Sequence, residues 1–447
     1  MGSAREVALL TLTDMDRQKA WSDGRLKKAI REGGLDRRDA ALATRLCFGV
    51  LQNRLLLDYY LGAFSSMKLE KMESKVRNNL RIGLYQMLFL DKIPNSAAVS
   101  EAVELTKKHC KNSRAPGMVN GILRSIIRKM DSLPPLDRSD RAGYLSLFYS
   151  HPKWLTEAFA ARLPEDELEA LLQWDNGEPP VTVQVNTTKT TVEAVTASLE
   201  AEGVQVEPHP WLPGCLVLSA TGDLAERAAY RDGLLYAQDP AARLAVLALD
   251  PKPGDRLLDA CAAPGGKSFA AALSMEDKGE IVSCDVHPHK KKLIAAGAKR
   301  LGLESITPKT ADATEFRPDW EGRFDAVLAD VPCSGLGVIR KKPEIRYKDP
   351  KDLADLPPLQ LAILSNVSRY VRPGGALLYA TCTLLEAENE GVAEAFLAQH
   401  TDFHAEAFTL PGPLGMVESG LCTLWPQRLG TDGFFLAKFR REGGGGT

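Results

Sequence analysis

The stretch Asp259-Ala260-Cys261-Ala262-Ala263-Pro264-Gly265-Gly266-Lys267-Ser268 decides the fold of the second half of the chain. The residues up to Ala260 have the composition of a buried strand, and those after Gly266 have that of a helix. Small residues between them let the backbone approach a ligand closely, and free N–H groups at the helix start can face its polar groups. The stretch therefore predicts a strand, a ligand-binding loop and a helix.

Three interpretations of this loop compete. Its spacing is not GxGxxG, which argues against a dinucleotide-dependent dehydrogenase. Gly266-Lys267-Ser268 matches the end of a phosphate-binding P-loop, but Cys261 stands where the first glycine is required. A nucleoside cofactor with a charged sulfonium therefore fits better than a triphosphate.

Strands and helices alternate on both sides of this loop from Gln238 onward. Such alternation is typical of an α/β doubly wound, Rossmann-like domain, in which a parallel sheet carries helices on both faces. Ligands bind such folds at the carboxyl ends of the strands. The predicted strands are 256–260, 280–284, 306–309, 326–329, 376–380 and 434–439.

Acidic residues follow two further strands. Asp285 ends the second strand, where its carboxylate can accept hydrogen bonds from a ribose diol. Asp312 follows the third strand, where it can reach an adenine amino group. A single aspartate is more often a turn or cap residue. Aspartates at three successive strand ends, namely Asp259, Asp285 and Asp312, favour a nucleoside site instead.

Cys333 and Cys382 follow the fourth and fifth strands, next to the same edge. An isolated cysteine is usually a small buried hydrophobe. Two together suit methylation of cytosine carbon-5, which requires a thiolate to add to carbon-6 first and a base to remove the carbon-5 proton afterwards. Asp330 would then hydrogen-bond the Watson–Crick edge of the base. Chemistry alone leaves open which cysteine is the nucleophile.

The N-terminal part of the chain differs in pattern and in charge. Residues 5–130 have apolar side chains at helical spacing, which predicts an all-α domain of five to seven helices. Residues 1–130 contain 24 Lys and Arg against 13 Asp and Glu, a net charge of +11, whereas the remainder has a net charge of −13. A basic module of this size can bind a polyanion, although a solvated helical surface would show the same excess.

Several motifs together resemble the RNA cytosine-C5 methyltransferases, and over nearly the whole length the chain is similar to the bacterial members that act on 16S rRNA. Upstream, Ile93–Val103 and Val119–Arg124 resemble the NusB-type RNA-binding domain that such enzymes carry, with Asn95 where the family usually has histidine. The other motifs are DACAAPGGKS (259–268), DVPCSGLGVIRKKP (330–343), Thr381-Cys382-Thr383 with Glu386, Glu388, Asn389 and Glu390, and GTDGFF (430–435).

The resemblance implies a function and a role for each site residue. It implies S-adenosylmethionine-dependent methylation of carbon-5 of a cytosine in 16S rRNA, with Cys382 as the nucleophile and Cys333 as the elimination residue. Asp330 would contact cofactor, base or both. The cofactor contacts that the resemblance implies are Cys261, Ala262, Ala263, Pro264, Gly265, Gly266, Lys267, Asp285, Asp312 and Asp330.

The expected organisation has three domains. These are a NusB-like helical domain (1–132), a small α+β domain of ferredoxin or RRM type (151–236) and a methyltransferase domain (237–442). A linker (133–150) and a disordered tail (443–447) complete the chain.

The expected substrate is an unstacked or loop cytosine, since the base must leave its stack to reach two thiols and a methyl donor. Arg340-Lys341-Lys342 and Arg346 follow the Cys333 loop and are predicted to contact RNA. Two alternatives remain: a tRNA enzyme of the same chemistry, and a non-catalytic RNA-binding assembly factor. The basic helical module favours rRNA over tRNA, and the retained cysteines argue against the assembly factor.

Composition narrows the remaining possibilities. The eight cysteines include no CxxC pair, which predicts neither a metal site nor a disulfide framework. Apolar runs such as 244–249 are far shorter than a membrane span, and the N-terminus lacks the features of a secretory signal. We therefore expect a cytoplasmic monomer without metal or membrane partners.

Overall fold

A computed structural model of the protein describes residues 2–18 and 22–443. The chain divides into two compact units, which are described separately. The first contains the residues up to Gly177 together with Ile339–Lys348, and the second contains Glu178–Val338 and the residues from Asp349 onward. The disordered tail predicted from the sequence lies, beyond Gly443, outside the described residues.

The first unit is entirely helical in the part that the structure describes. Seven of its helices lie before residue 130, in agreement with the predicted all-α domain. In α7 the side chains of Val119, Ile122, Leu123 and Ile126 are buried, which is the spacing of one helix face. The helices are α1 Ala4–Gln18, α2 Ser22–Gly33, α3 Arg37–Gln52, α4 Arg54–Phe64, α5 Ser74–Phe89, α6 Asn95–His109, α7 Ala115–Arg128, α8 Arg141–Phe148, α9 Lys153–Ala160 and α10 Glu165–Asp175.

The boundaries of this unit differ from those expected from the sequence. Helix α8 lies within the expected linker, where the Asp140 side chain caps it by accepting a hydrogen bond from the Gly143 N–H. Helices α9 and α10 also belong to the first unit rather than to the unit with the small sheet. A compact unit need not coincide with a domain, so the domain limits expected from the sequence stay predictions.

The helical unit also includes Ile339–Lys348, a segment that lies far along the chain from its other residues. The Arg346 side chain is 0% exposed. Its Nη1 donates to the carbonyl oxygen of Tyr149 at 3.1 Å and to Oδ1 of Asn176 at 2.7 Å, and its Nη2 donates to the carbonyl oxygen of Asp175 at 3.2 Å. Because a buried side chain cannot reach a phosphate, the predicted RNA contact is wrong for Arg346.

Two neighbouring side chains in this segment also make contacts within the helical unit. The Tyr347 hydroxyl donates to the carbonyl oxygen of Leu51 at 2.7 Å. The Arg340 guanidinium lies 3.9 Å from the centre of the Trp174 ring, a cation–π distance. The segment thus contributes to the stability of the helical unit.

The second unit begins with a four-stranded antiparallel sheet in the order β2-β3-β1-β4. This sheet and helix α11 form the α+β module that was predicted in this region. Asn186 donates from Nδ2 to the carbonyl oxygen of Leu301 at 2.9 Å, which ties the module to the rest of the unit. The elements are β1 Val181–Val185, α11 Val192–Ala201, β2 Gln205–Pro208, β3 Cys215–Ser219, α12 Ala228–Arg231 and β4 Leu235–Ala237.

A larger sheet follows, in the order β10-β14-β9-β8-β5-β6-β7 with β13 beside β14. Strands β5 to β9 are parallel to one another, and β14 is antiparallel to β9. Each of the six strands predicted from the sequence coincides with one of these. The strands are β5 Arg256–Asp259, β6 Glu280–Asp285, β7 Ile306–Thr310, β8 Phe324–Asp330, β9 Val371–Thr381, β10 Phe403–Ala405, β13 Leu421–Leu424 and β14 Phe434–Arg441, with a separate hairpin of β11 Phe408–Leu410 and β12 Gly415–Val417.

Both faces of the larger sheet are buried, as expected for a doubly wound fold. Leu257 packs into the core on one face and the next residue, Leu258, packs into the core on the other. The chain runs outward from β5 to β6 and β7, then returns to β8 on the other side of β5, so the strand order reverses between β5 and β8. The covering helices are α13 Pro240–Leu249, α14 Gly266–Ser274, α15 Pro288–Leu301, α16 Leu356–Ser368 and α17 Glu390–Gln399, and the short α18 Pro426–Leu429 precedes β14.

Candidate active site

The loop between β5 and α14 lies where the strand order reverses. Gly265 has φ +115°, and a Cβ atom there would collide with the Phe269 ring. This position therefore requires glycine, and the bare backbone leaves the start of α14 open to a ligand. The expected strand, loop and helix are all present.

Asp259 supports this loop from inside the unit. Its buried Oδ2 accepts a hydrogen bond from Ser268 Oγ at 2.6 Å, and Ser268 Oγ accepts one from Ser283 Oγ at 2.8 Å. Burial raises the pKa of Asp259 to about 7, and the charge of Asp330 adds to this effect. Within the described residues, the Oδ1 atom of Asp259 has no hydrogen-bond partner.

Asp285 and Asp312 both lie at strand ends but in different surroundings. Asp285 is buried, and its Oδ1 accepts from the His287 N–H at 2.9 Å. Asp312 is partly exposed, and its Oδ1 accepts from the N–H and Oγ1 of Thr314 at 2.8 and 2.7 Å, which lowers the pKa of Asp312. Asp312 thus already has the local turn contacts of a structural aspartate.

Three carboxylates face the side chain of Cys261 in the cofactor loop. Burial raises the pKa of the Cys261 thiol, and so do the negative charges of Asp259, Asp330 and Asp285. The structure therefore brings these three predicted residues together around the loop.

The two predicted cysteines are in contact. The Sγ atoms of Cys333 and Cys382 are 3.2 Å apart, and both side chains are half-buried. The hydrogen bond from Cys333 lowers the pKa of Cys382, and the positive charge of Lys267 lowers it further. The same bond, together with burial, raises the pKa of Cys333. The charge of Lys267 thus favours ionisation of the Cys382 thiol.

Lys267 joins the cofactor loop to this pair. Its Nζ lies 2.7 Å from Oδ2 of Asp330 and 4.8 Å from the centre of the Phe434 ring. Asp330 is the last residue of β8, and Phe434 is the first of β14. Side chains from the start of α14, the end of β8 and the start of β14 thus meet.

Gly337 and Gly433 support the site, although sequence reasoning gave them no role. The Gly337 N–H donates to the carbonyl oxygen of Cys382 at 2.9 Å, and the Gly433 N–H donates to the carbonyl oxygen of Gly337 at 2.8 Å. A Cβ atom on Gly337 would overlap the Gly433 carbonyl. The glycines in the motifs 330–343 and 430–435 were the available signal, but only the structure pairs them.

Nowhere in 2–18 or 22–443 do three or more His, Cys, Asp or Glu side chains form a group that could hold a metal ion. Over the same ranges, every helix is too short or too polar to cross a membrane.

Three family models match this chain in succession. Residues 2–128 match the NusB family, residues 151–225 match the ferredoxin-like domain of RsmF/B-like methyltransferases, and residues 246–440 match the 16S rRNA methyltransferase RsmB/F model. Their order confirms the predicted three-part architecture.

Individual proteins are similar over the full length. The chain is 38% identical to a probable ribosomal RNA small subunit methyltransferase B of Bacillus subtilis, covering 99% of each chain. It is 34% identical to the protein of that name from Synechocystis, covering 99% of this chain and 100% of the other. The crystal structure of PH0851 is similar with a TM-score of 0.83 and 27% identity, covering 98% of each chain. The chain belongs to the RsmB/F family of 16S rRNA methyltransferases.

Proposed function

We propose that the protein methylates carbon-5 of a cytosine in 16S rRNA, with S-adenosylmethionine as methyl donor and Cys382 as covalent nucleophile. The observation that carries this proposal is the 3.2 Å contact between Cys333 and Cys382, in which Cys382 has the lowered pKa. The full-length relatives named as small-subunit rRNA methyltransferases support the choice of RNA.

The residues around the β5 loop fit this cofactor. The charges of Asp285 and Asp330 act on Cys261 in the loop, and negative charge suits a sulfonium cation. The buried Oδ1 of Asp259 is a spare acceptor at the same place. When bound, the cofactor supplies an electrophilic methyl group. The proposed contacts are those expected from the sequence, namely Cys261 to Lys267, Asp285, Asp312 and Asp330.

The chain's own residues account for the bond-forming steps. The Cys382 thiolate attacks carbon-6 of the cytosine, and the electron pair of the carbon-5–carbon-6 double bond moves to carbon-5. Carbon-5 would then bond to the methyl group as the methyl–sulfur bond of the donor breaks, which leaves a neutral thioether. Lys267 and Asp330 lie beside the thiols, where they can hydrogen-bond the polar edge of the base as charge develops.

Elimination completes the reaction. The proton on carbon-5 passes to a base, the electron pair of that C–H bond restores the double bond, and the carbon-6–sulfur bond breaks to release the Cys382 thiolate. Bonding of Cys382 to carbon-6 removes the thiolate charge that raises the pKa of Cys333, so the Cys333 thiol can then lose its proton and act as the base. Cys333 is accordingly the proposed elimination residue.

Trapping the covalent adduct tests these roles. We expect Cys333→Ala to accumulate a protein–RNA adduct that resists denaturation, since the bond forms but is not released. Cys382→Ala should form none and should lose methyl transfer by a factor of at least about 1000. The matched control is Cys422→Ala, which removes a half-buried thiol in β13 and should behave as wild type. An adduct in Cys382→Ala instead would exchange the two roles.

Transfer of a labelled methyl group tests the substrate. Wild-type protein with labelled cofactor should label 16S rRNA and leave tRNA unlabelled. Labelling of tRNA alone would overturn the rRNA assignment. Binding to RNA without transfer to either substrate would indicate an assembly factor.

A further inference from the structure

We propose that Glu388 is a positioning residue that sets the separation of the two thiols by holding the loops of Cys333 and Cys382 on one carboxylate. This inference rests on the proposed function, since it concerns the same thiol pair. Glu388 is 2% exposed, and its hydrogen bonds reach other residues rather than either sulfur atom. Its negative charge also raises the pKa of Cys333, an effect that Glu388→Gln removes and Gln360→Met keeps.

The Glu388 carboxylate hydrogen-bonds a residue next to Cys333. Its Oε2 accepts from the backbone N–H of Ser334 at 2.8 Å and from Nε2 of Gln360 at 2.8 Å. Gln360 Nε2 also donates to the carbonyl oxygen of Pro332 at 3.0 Å. Both residues that flank Cys333 are therefore fixed by this pair of side chains.

The Glu388 carboxylate also reaches the loop of Cys382, and the neighbouring Asn389 makes further contacts with that loop. The Ser334 and Thr383 hydroxyls are 2.7 Å apart, and the Thr383 hydroxyl lies 3.5 Å from Oε1 of Glu388. Asn389 accepts from Thr381 Oγ1 at 2.6 Å and donates to the carbonyl oxygen of Thr383 at 3.0 Å. The residues on both sides of Cys382 are thus also fixed.

A buried carboxylate in this position needs a reason, because its desolvation is costly. The groups that donate hydrogen bonds to Glu388 are neutral. These contacts therefore fix the positions of the two loops and do not neutralise the carboxylate. Hydrogen bonds to a carboxylate are shorter and stronger than those to a neutral acceptor. Misplacement by about 1 Å can cost about a hundredfold in rate, so a firm link between the two loops matters for catalysis.

The first test measures the reactivity of Cys382 in the absence of RNA. Alkylation of Cys382 is followed as a function of pH by peptide mass spectrometry in wild type, Glu388→Gln and Gln360→Met. Charged or titratable groups facing Cys382 are Cys333, Asp330, Lys267 and Asp432, and none of them is changed. If the loops separate, Cys382 loses the hydrogen bond from Cys333, and its alkylation midpoint should move up by about one pH unit.

Methyl transfer by the same variants gives the second measurement. We expect kcat to fall by about tenfold to a hundredfold in Glu388→Gln and Gln360→Met, with the dissociation constant of the cofactor unchanged. Glu386→Gln is the matched control, because Glu386 is an exposed glutamate in the same turn. It should leave both the midpoint and kcat at wild-type values.

The outcomes separate the two proposals. An unchanged alkylation midpoint in both folded variants would overturn the positioning role, even if the wild type methylates RNA. A shifted midpoint in a protein that transfers no methyl group would instead overturn the proposed function and leave the geometric link supported. If Glu388→Gln does not fold, Gln360→Met from helix α16 carries the test, and failure of both to fold would assign the cluster to stability alone.

Discussion

The helical unit and the edge of the large sheet both contain charged side chains with little exposure, but they use them differently. In the helical unit, Arg346 is fully buried among helix-end carbonyls, and Arg81 pairs with Asp58 at 2.6 Å. At the sheet edge, Lys267 pairs with Asp330 at 2.7 Å while the Asp330 side chain keeps 27% exposure. Arg346 is closed off from solvent, so its charge serves the structure, whereas the exposed part of Asp330 leaves that carboxylate accessible to a bound molecule.

This difference also changes how the charge of the helical half is interpreted. Its excess of basic residues was a reason to expect binding to a polyanion. At least one of the basic residues in 1–130, Arg81, is buried inside the unit. An RNA-binding surface must therefore be formed by other cations.

Gly337→Ala should have the largest effect of the tests that address this comparison. The added Cβ would overlap the Gly433 carbonyl and push apart the backbone that supports Cys382, so we expect methyl transfer to fall by more than about a hundredfold. The matched control is Gly121→Ala in α7, where a Cβ meets nothing within 4 Å. Equal activity in the two variants, measured with labelled cofactor, would contradict the tight backbone contact at the sheet edge.

Arg346→Met should act on stability. Removing the guanidinium leaves the carbonyls of Tyr149 and Asp175 without this donor, which should cost about 3 kcal/mol of unfolding free energy. Chemical denaturation monitored by circular dichroism measures the change. Lys342→Met, at an exposed position in the same segment, should cost less than about 0.5 kcal/mol. A similar cost for both would show that Arg346 is not an anchor.

Lys267→Met should change the reactivity of Cys382. The charge of Lys267 helps to lower the pKa of Cys382, so its removal raises that pKa and moves the alkylation midpoint up by about one pH unit. Lys278→Met, in an exposed pair with Glu276, is the control. A midpoint that stayed the same or fell would show that this lysine does not act on the thiol.

Asp259→Asn should change the pH dependence of stability. The pKa of Asp259 is raised from 3.8 to about 7, so between these values the folded state binds more protons than the unfolded state and stability falls as pH rises. The variant should lose this slope and keep the bond from Ser268. Thermal unfolding from pH 4 to 7 measures it, with exposed Asp319→Asn as control. An unchanged slope would mean that Asp259 is ionised throughout this range.

Much of the fold could be predicted because its signals are local. The six main strands follow from short apolar runs bounded by turns, and the helices of the first unit follow from their apolar spacing. The expected linker contains helix α8, which its polar composition did not indicate and which the Asp140 side chain caps. The cytoplasmic location and the monomeric state stay predictions.

The sequence by itself determined the family, the order of the domains and the residue types at the strand ends, because motifs and periodicity are properties of neighbouring residues. Only the tertiary structure decided that Cys333 and Cys382 touch, that Lys267 faces Cys382, that Arg346 is buried and that Gly337 meets Gly433. The physical reason is that pKa values, burial and close contacts depend on atoms brought together from distant parts of the chain. Strand order and sheet packing, rather than local composition, set those distances.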